Sequence, residues 1–424
     1  MKKLTTLITL SLVIVLMLSL APTGTTPAKA KDTLKFWTFQ YAPDVAPFFK
    51  DYVNEWNAAH TDIQVEWQEF PWAQYTGEIL TTGIATGNAP DVFFISPGDW
   101  RRYAEGGLAL PLESYLPDYL KQDLLPASLD AVTLNNHVYS IPFEMEPVVL
   151  WYNKTMLSQA GVSVPTTWDE LVDASKKLTT DKRYGILIPT NPDYYENFVF
   201  YPFLWSAGGS VIDKEFTKAQ VNTPEAAKAL DLWGTLMKNK YAAPTSTGSD
   251  PTDDRFPTGQ AAMFVSGYWV YGWISSTHKD FLTDLAVAPI PAPDKDSKRV
   301  TVYGGWTVMV YGNTTHQKEA ADFAINMFGA KDNKRAADWG MKYNTKLSPR
   351  QSVVKDYADF YTKWPHSVFA NDIFPTARPE PAYTPEIAKS VWEAIQDVMF
   401  KGVSGKDAAA TWAQKIDAYL KTRK

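Results

Sequence analysis

Hydrophobic and polar residues in the first hundred positions follow the order expected for alternating strands and helices. Apolar residues at 49, 52, 53 and 56 share one face of a predicted helix. Residues 63–67 alternate with a period of two, as in a half-buried strand. The predicted order is a strand at 34–39, a helix, a strand at 63–67, a helix at about 75–86 and an entirely apolar strand at 92–95. This order is typical of a doubly wound α/β lobe.

The same alternation begins again after residue 143 and predicts a second α/β lobe. Thr167 and Glu170 form a capping-box pattern, and Thr223 followed by Pro224 marks another helix start. Predicted strands lie at 148–152, 184–188, 261–265, 285–290 and 307–310, with a proline-rich and polar crossover at 289–299 and a helical last quarter. We predict one lobe of residues 31–143 plus about 292–330 and a second of residues 144–291 plus about 331–424.

The first 30 residues have the pattern of a secretory signal peptide. Two lysines precede an apolar run over 4–20, and the segment ends with Ala28 and Ala30, so cleavage is expected before Lys31. The run is also long enough to be kept as an N-terminal membrane anchor. The chain has no cysteine, which excludes disulfides, thiol catalysis and a lipid anchor on cysteine. We expect export across the cytoplasmic membrane, to the periplasm or the cell exterior.

Charge and missing motifs exclude several classes of function. Removal of residues 1–30 would shift the net charge from −6 to −9, and an acidic chain without a basic run argues against nucleic acid as a partner. The sequence has no glycine-rich phosphate loop, no nucleophile elbow and no zinc-protease motif. The five histidines are scattered singly, so we expect neither a metal nor a cofactor.

Aromatic residues are frequent, with 16 tryptophans, 22 tyrosines and 21 phenylalanines. A flat aromatic face with one polar edge stacks well on a sugar ring. Trp233 and several others fall on apolar helix faces and are expected in the core. The remaining tryptophans fall at strand ends or in loops with glycine or proline, where glycine lets a ligand approach the backbone closely. They are Trp37, Trp72, Trp100, Trp205, Trp269 and Trp306. These tryptophans are candidates for stacking on a carbohydrate.

Glu144 and Glu146 allow two interpretations. On a strand, residues i and i+2 point to one face, so the two carboxylates could serve an exported glycoside hydrolase as acid and nucleophile. Alternatively, they accept hydrogen bonds from sugar hydroxyls or form a salt bridge between the lobes. Catalytic carboxylates usually come from separate strand ends, so we favour the binding interpretation and keep the hydrolase as the alternative hypothesis.

Seven segments, taken in order, resemble the extracellular solute-binding proteins of sugar ABC transporters, the family that includes maltose-binding protein. They are LKFWTF (34–39), GNAPDVFF (87–94), IPFEMEPVVLWYNKTML (141–157), PTTWDEL (165–171), LWSAGG (204–209), GQAAMFVSGYW (259–269) and GGWTVMV (304–310). The resemblance implies a two-lobed α/β periplasmic-binding-protein fold, with two or three hinge segments and a ligand cleft between the lobes. Open α/β sheets also bind ligands beyond the carboxyl ends of their strands.

The resemblance also implies a function. The protein would be a monomer that captures a sugar, and it would not be an enzyme. We expect an oligosaccharide, with a polyol as an alternative ligand. It would close about its hinge and deliver the ligand to an ABC transporter permease. The motifs and the residues discussed above give the expected ligand-binding set: Trp37, Gln40, Trp72, Ser96, Gly98, Glu144, Glu146, Trp205, Tyr268, Trp269, Gly305, Trp306 and Arg378. The missing lipobox cysteine distinguishes this chain from lipoprotein members.

Overall fold

The computed structural model describes residues 32–41, 45–245 and 252–423. The predicted signal peptide lies outside these residues. The described chain forms a five-stranded sheet, a six-stranded sheet and a two-stranded ribbon. Helices pack against each large sheet, so the predicted two-lobed α/β fold is confirmed.

The strands of the described residues are numbered in chain order. They are β1 (Asp32–Phe39), β2 (Ile63–Phe70), β3 (Val92–Ile95), β4 (Thr133–Leu134), β5 (His137–Val138), β6 (Ser140–Pro142), β7 (Glu146–Asn153), β8 (Tyr184–Leu187), β9 (Ala261–Gly267), β10 (Leu285–Ala288), β11 (Thr301–Gly304), β12 (Thr307–Val310) and β13 (Ala377–Pro379).

The first lobe is built on a sheet with the strand order β2-β1-β3-β12-β6. Strand β1 is parallel to β2 and β3, whereas β12 is antiparallel to β3 and β6. All four residues of β3 are buried, as the apolar run predicts. Phe39 pairs with Phe70 at the carboxyl ends of β1 and β2. The loops that follow the three parallel strands therefore lie along one edge of the sheet.

The second lobe is built on a sheet with the order β13-β11-β7-β9-β8, and β10 also pairs with β7. Strand β7 is the central strand, because it pairs with β11 through its first residues, with β10 through its last residues and with β9 on its other side. Seven of its eight residues are buried. This burial agrees with the continuous apolar run in the sequence.

The helices are numbered in the same way. They are α1 (Ala46–Ala59), α2 (Trp72–Gln74), α3 (Leu80–Ala85), α4 (Trp100–Glu105), α5 (Asp118–Asp123), α6 (Pro126–Asp130), α7 (Lys154–Gln159), α8 (Trp168–Leu178), α9 (Tyr194–Ser206), α10 (Pro224–Lys238), α11 (Trp269–Thr277), α12 (Gln317–Gly329), α13 (Lys334–Asp338), α14 (Gln351–Asp356), α15 (Ala358–Tyr361), α16 (His366–Val368), α17 (Pro385–Phe400) and α18 (Gly405–Thr422). Short 3-10 or π-helical turns occupy Tyr75–Ile79, Lys279–Thr283, Trp339–Tyr343, Phe369–Ile373 and Phe374–Thr376.

The predicted helix starts in the second lobe are confirmed by their capping hydrogen bonds. The Thr167 hydroxyl accepts from the backbone N–H of Glu170, and the Glu170 carboxylate accepts from the backbone N–H of Thr167. Thr223 caps α10 by accepting from the backbone N–H of Ala226. These side chains satisfy N–H groups that the first helical turn leaves without partners.

Among the described residues, three segments cross between the lobes at the hinge, and α14 then packs back against the first lobe. Residues 143–145 join β6 to β7, Gly305 and Trp306 join β11 to β12, and residues 344–349 follow the first-lobe residue Trp339. The backbone N–H of Met145 donates to the carbonyl of Leu347 at 2.9 Å. This bond ties the first crossing to the third.

Two crossings lie later in the chain than the sequence-based lobe boundaries. Strand β11 pairs with β7 in the second sheet, so the second crossing lies at Gly305 instead of near residue 292. Trp339 packs in the first core, so the third crossing comes after it instead of near residue 331. Proline and polar residues over 289–299 mark a loop correctly, but a loop signal does not reveal which sheet the next strand joins.

Each lobe has its own aromatic core. In the first, Phe36 lies at the centre, with the rings of Phe94 and Phe323 5.5 and 5.3 Å away. In the second, Trp233 is fully buried against Phe200 and lies in one cluster with Trp412. Among the described residues, no helix is both long enough and apolar enough to cross a membrane.

Candidate ligand-binding cleft

The loops that follow the parallel strands of the first lobe lie on the side that faces the second lobe. Residues 96–99 follow β3, and the carbonyl of Ser96 accepts from the N–H groups of Asp99 and Trp100. This turn starts α4 and places Gly98 against Glu380 of the second lobe. The carboxyl edge of the first sheet therefore forms one wall of the cleft, as expected for an open α/β sheet.

The carboxylate of Glu144 lies where the three crossings meet. It is buried and accepts from the Trp339 indole at 2.8 Å, the Trp306 backbone N–H at 3.2 Å and the Asn344 side chain at 3.3 Å. Burial raises the pKa of Glu144, and the nearby Lys346 ammonium acts in the opposite direction. Because its donors come from the second and third crossings, Glu144 links all three hinge segments.

Lys346 supplies the positive charge of this hinge. Its buried ammonium forms an ion pair with Glu146 and lies close enough to Glu144 for the two charges to interact. Burial lowers the pKa of Lys346 to about 8, and the charge of Glu144 opposes this shift. Glu144, Glu146 and Lys346 form what we call the hinge charge cluster.

An aromatic surface of the second lobe lies beside the hinge charge cluster. The Trp269 ring is half-buried, covers Gly267 and lies 5.9 Å from Tyr195 and 6.1 Å from Phe198, measured between ring centroids. The Lys346 ammonium lies 5.8 Å from the centre of the Trp269 ring. We call Tyr195, Phe198 and Trp269 the aromatic platform.

Trp306 provides an aromatic ring from the opposite side of the cleft. It is half-buried, and its ring centroid lies 4.3 Å from that of Phe39 at the end of β1. Gly305, which precedes it, has a φ of 119°, and a Cβ there would lie 2.0 Å from the Glu144 carbonyl oxygen. Only glycine therefore permits this close crossing of the two hinge segments.

The two lobes also touch along one side of the cleft. A Cβ on Gly98 would lie 2.4 Å from a carboxylate oxygen of Glu380. The Arg101 guanidinium lies 4.2 Å from the centre of the Phe216 ring, and Glu105 forms an ion pair with Arg423 at 3.2 Å. The lobes are therefore in direct contact on this side, and we call this arrangement closed.

Two predicted ligand-binding side chains are buried in the cores. Trp37 is 5% exposed and packs between Phe70 and Gly83, and Tyr268 is fully buried with its hydroxyl hydrogen-bonded to His366. Both positions lie at or beside strand ends, as predicted. Neither ring faces the cleft, because each is covered by the helices and turns of its own lobe.

The other predicted residues are distributed between the cleft and its surroundings. Trp269, Trp306, Gly305, Glu144 and Glu146 lie at the hinge and the aromatic platform. Ser96 and Gly98 lie on the facing loop, and the Ser96 hydroxyl accepts from the Gly98 amide at 3.2 Å. Gln40 is exposed just after β1, and the half-buried Trp72 follows β2.

Trp205 and Arg378 lie apart from the aromatic platform. The Arg378 guanidinium is 5.8 Å from the centre of the Trp205 ring, which stacks on Tyr201. Trp205 is seven residues beyond Phe198 on α9, which is about 10 Å along the helix. Arg378 also lines an open groove of about 760 Å³ together with Lys298 and Arg299. The motif match did not reveal this separation.

Four residues around the cleft were not predicted from the sequence: Tyr195, Phe198, Lys346 and Glu380. The first two lie three positions apart on α9, whose last turn contains the start of the LWSAGG motif, and the spacing of aromatic residues along this helix could have indicated them. Lys346 and Glu380 lie in irregular segments of the last quarter, where no periodic pattern marks a site. Among the described residues, no group of three or more potential metal ligands occurs.

A family model for bacterial extracellular solute-binding proteins matches residues 42–334. This match covers more than half of the chain. The chain belongs to the bacterial extracellular solute-binding protein family. As a member of this family it is a solute-binding protein and not an enzyme.

Individual relatives agree with this assignment. The maltotriose-binding protein of Pyrococcus abyssi (strain GE5 / Orsay) is 29% identical over 289 residues, which are 66% of this chain and 58% of the relative. The arabinooligosaccharide-binding protein of Halalkalibacterium halodurans is 25% identical over 301 residues, 68% of this chain and 66% of the relative. The chain therefore spans less than two thirds of the length of either relative.

A solved structure shows the same fold. The ABC transporter solute-binding protein from Thermotoga lettingae TMO, bound with alpha-D-tagatose, has a TM-score of 0.79 and 23% sequence identity to this chain. The match covers 92% of this solute-binding protein and 100% of the other chain. The similarity shows that the two lobes and their connections follow the fold of known solute-binding proteins.

The glycoside hydrolase alternative has no support in this solute-binding protein. Glu144 is held by three hydrogen-bond donors and Glu146 by the Lys346 ammonium, so both carboxyl groups have structural partners. They also lie next to each other on one hinge segment, which leaves no room for a sugar between them. The two carboxylates organise the hinge.

Proposed function

We propose that the protein captures an oligosaccharide in the cleft between its lobes and delivers it to an ABC transporter permease. The observation that carries the proposal is the aromatic platform, which lies beside buried polar groups and opposite Trp306. Stacking of apolar sugar faces on these rings supplies affinity. Hydrogen bonds from sugar hydroxyls supply specificity, because a buried polar group left unpaired costs about 1–3 kcal/mol.

The ligand-binding set in this proposal combines predicted and newly placed residues. Trp269 and Tyr195 stack on the ligand from the second lobe, where the buried Phe198 ring supports Trp269, and Trp306 stacks on it from the first. Ser96, Gly98, Gln40 and Trp72 contact it from the loops at the carboxyl edge of the first sheet. Trp205 and Arg378 belong to a position further along α9, which only a longer oligosaccharide reaches. The names of the maltotriose and arabinooligosaccharide relatives support an oligosaccharide over a single sugar.

Delivery to a permease fits an exported monomer that changes shape on binding. Ligand contacts to both lobes stabilise the closed form, and only this difference in affinity shifts the population towards closure. The N-terminal signal sequence supports a location outside the cytoplasmic membrane. We infer that cleavage before Lys31 releases the protein, since no cysteine is available to carry a lipid anchor.

The test is a titration of a saccharide panel against the wild type and Trp269→Ala. A thermal-shift screen of maltotriose, arabinotriose, tagatose and mannitol selects the ligand, and calorimetry measures its affinity. Trp269→Ala is expected to weaken binding by about 1–3 kcal/mol, the scale of a desolvated aromatic contact. Phe400→Ala, which removes an exposed ring of the second lobe, serves as the control and should bind normally. Equal affinities of the wild type and Trp269→Ala would refute the platform as the binding surface.

A further inference from the structure

Glu380 is directed at the boundary between the lobes by the strand that precedes it. Strand β13 pairs with β11, and the pairing continues with a bond from the Glu380 backbone N–H to the Tyr303 carbonyl at 2.9 Å. The side chain is 9% exposed. The carboxyl group therefore extends from a fixed backbone position towards the first lobe.

Two glycines make room for the Glu380 carboxyl group. A Cβ on Gly98 of the first lobe would lie 2.4 Å from one carboxylate oxygen, and a Cβ on Gly304 of the second would lie 3.3 Å from the other. A side chain at Gly98 would collide with Glu380 unless the Glu380 side chain moved or the lobes separated. The Glu380 carboxyl group therefore packs directly against the Gly98 backbone of the other lobe.

Acidic and phenolic groups surround the Glu380 carboxyl group. Among the described residues, the ion pairs include no lysine, arginine or histidine with Glu380. The groups that face it are Asp99 of the first lobe and the hydroxyls of Tyr194 and Tyr201 on α9. Asp99 is itself paired with Arg102 at 2.7 Å. A charged Glu380 in this position is buried beside another carboxylate.

We propose that Glu380 is a positioning residue that holds the Gly98 loop against the second lobe in the closed protein. Through this contact, closure of the lobes is stronger at low pH than at high pH. The proposal rests on the proposed function, in which closure retains the solute. It concerns closure alone, so it can be tested without any ligand. The neighbouring ion pair of Glu105 with Arg423 is more exposed, so it contributes little to closure.

The sign of the pH effect follows from the burial of the carboxyl group. In the closed structure, burial and, to a smaller extent, the charge of Asp99 raise the pKa of Glu380 to about 8. In the open protein the group meets water and has an ordinary pKa of about 4.3. The closed form thus binds the proton more tightly, so closure is favoured at low pH and is weakened as the pH rises between these two values.

The experiment measures the closed fraction of the protein alone at pH 5.5 and pH 8.5. Spin labels at Thr82→Cys and Lys214→Cys, two exposed positions beside the inter-lobe contacts, report the distance across the cleft, and the chain has no other cysteine. The closed-to-open ratio of the wild type should fall by up to about tenfold per pH unit between the two pKa values. Glu380→Gln should stay closed at both pH values, because the amide has nearly the same size as the carboxyl group and carries no charge at either pH. Glu380→Ala should be more open at both.

The matched control is Glu386→Gln, an exposed residue on the same lobe, which should behave as the wild type does. Thermal melts of each labelled variant establish that the distances come from folded protein. A wild-type closed fraction that does not change with pH would overturn the proposal. A pH response that persists in Glu380→Gln would also overturn it, since another group would then be responsible. Because no solute is present, neither result depends on the identity of the ligand.

Discussion

Lys346→Met is expected to lower the free energy of unfolding by about 3–5 kcal/mol, the cost of leaving a buried charge without its partner. The ammonium is 4% exposed and is the positive group of the hinge charge cluster, so its loss leaves Glu146 buried without a counter-charge and Glu144 without a neighbouring cation. The lower free energy of unfolding should appear as a lower midpoint of unfolding in urea. Because Lys346 also lies over the Trp269 ring, ligand affinity should fall as well.

Two further variants separate charge from packing at this site. Lys346→Met combined with Glu146→Gln should recover part of the lost stability, because the second change removes the unpaired negative charge. Lys355→Met removes an exposed lysine of α14 and should leave the midpoint unchanged. If Lys346→Met unfolds at the same urea concentration as Lys355→Met, the hinge charge cluster is not buried in solution.

Trp233→Ala is expected to destabilise the second lobe by about 3–5 kcal/mol, as a large cavity in a packed core does. Trp233 is fully buried on α10, and its ring meets Phe200 at 5.3 Å and Phe203 at 5.8 Å in edge-to-face geometry. Calorimetric melts should show a lower unfolding temperature than that of the wild type. The affinity of the folded fraction should be nearly unchanged, because Trp233 does not belong to the aromatic platform.

Trp233→Phe is the matched variant for this core. It keeps most of the ring and removes an indole N–H that has no hydrogen-bond partner in the core, so it should cost much less than alanine. The assignment of Trp233 to the core and Trp269 to the cleft would be wrong under one combination of results. In that case Trp233→Ala folds but no longer binds ligand, and Trp269→Ala binds normally.

Much of the fold could be predicted because its signals are local. The apolar run at β3, the alternation at β2 and the capping residues Thr167 and Thr223 each describe one element, and each element forms where it was expected. The lobe boundaries were less accurate. Whether β11 continues the second sheet or returns to the first depends on pairing with β7, and such long-range pairing leaves no signal in residues 292–300.

The candidate site was predicted less well than the fold, for a related reason. Trp37 and Trp306 have similar sequence contexts, since each lies at or near a strand end. In the structure, Gly83 and Phe70 cover Trp37, whereas Trp306 is half-buried. Glycine next to a tryptophan therefore predicts close packing without telling whether the partner is a ligand or the core. Glu380 became recognisable only when the lobes were seen together, because Gly98 lies 282 positions before it in the sequence.

The central claim is that a saccharide binds between the lobes and holds them together. Small-angle scattering of the protein at pH 8, with and without a saturating concentration of the ligand selected by the thermal-shift screen, tests it most directly. The ligand should decrease the radius of gyration, and the bound curve should fit the closed structure better than the free curve does. Trp269→Ala should not compact at the same ligand concentration. An unchanged radius for wild-type protein, with tight binding established by calorimetry, would contradict the claim.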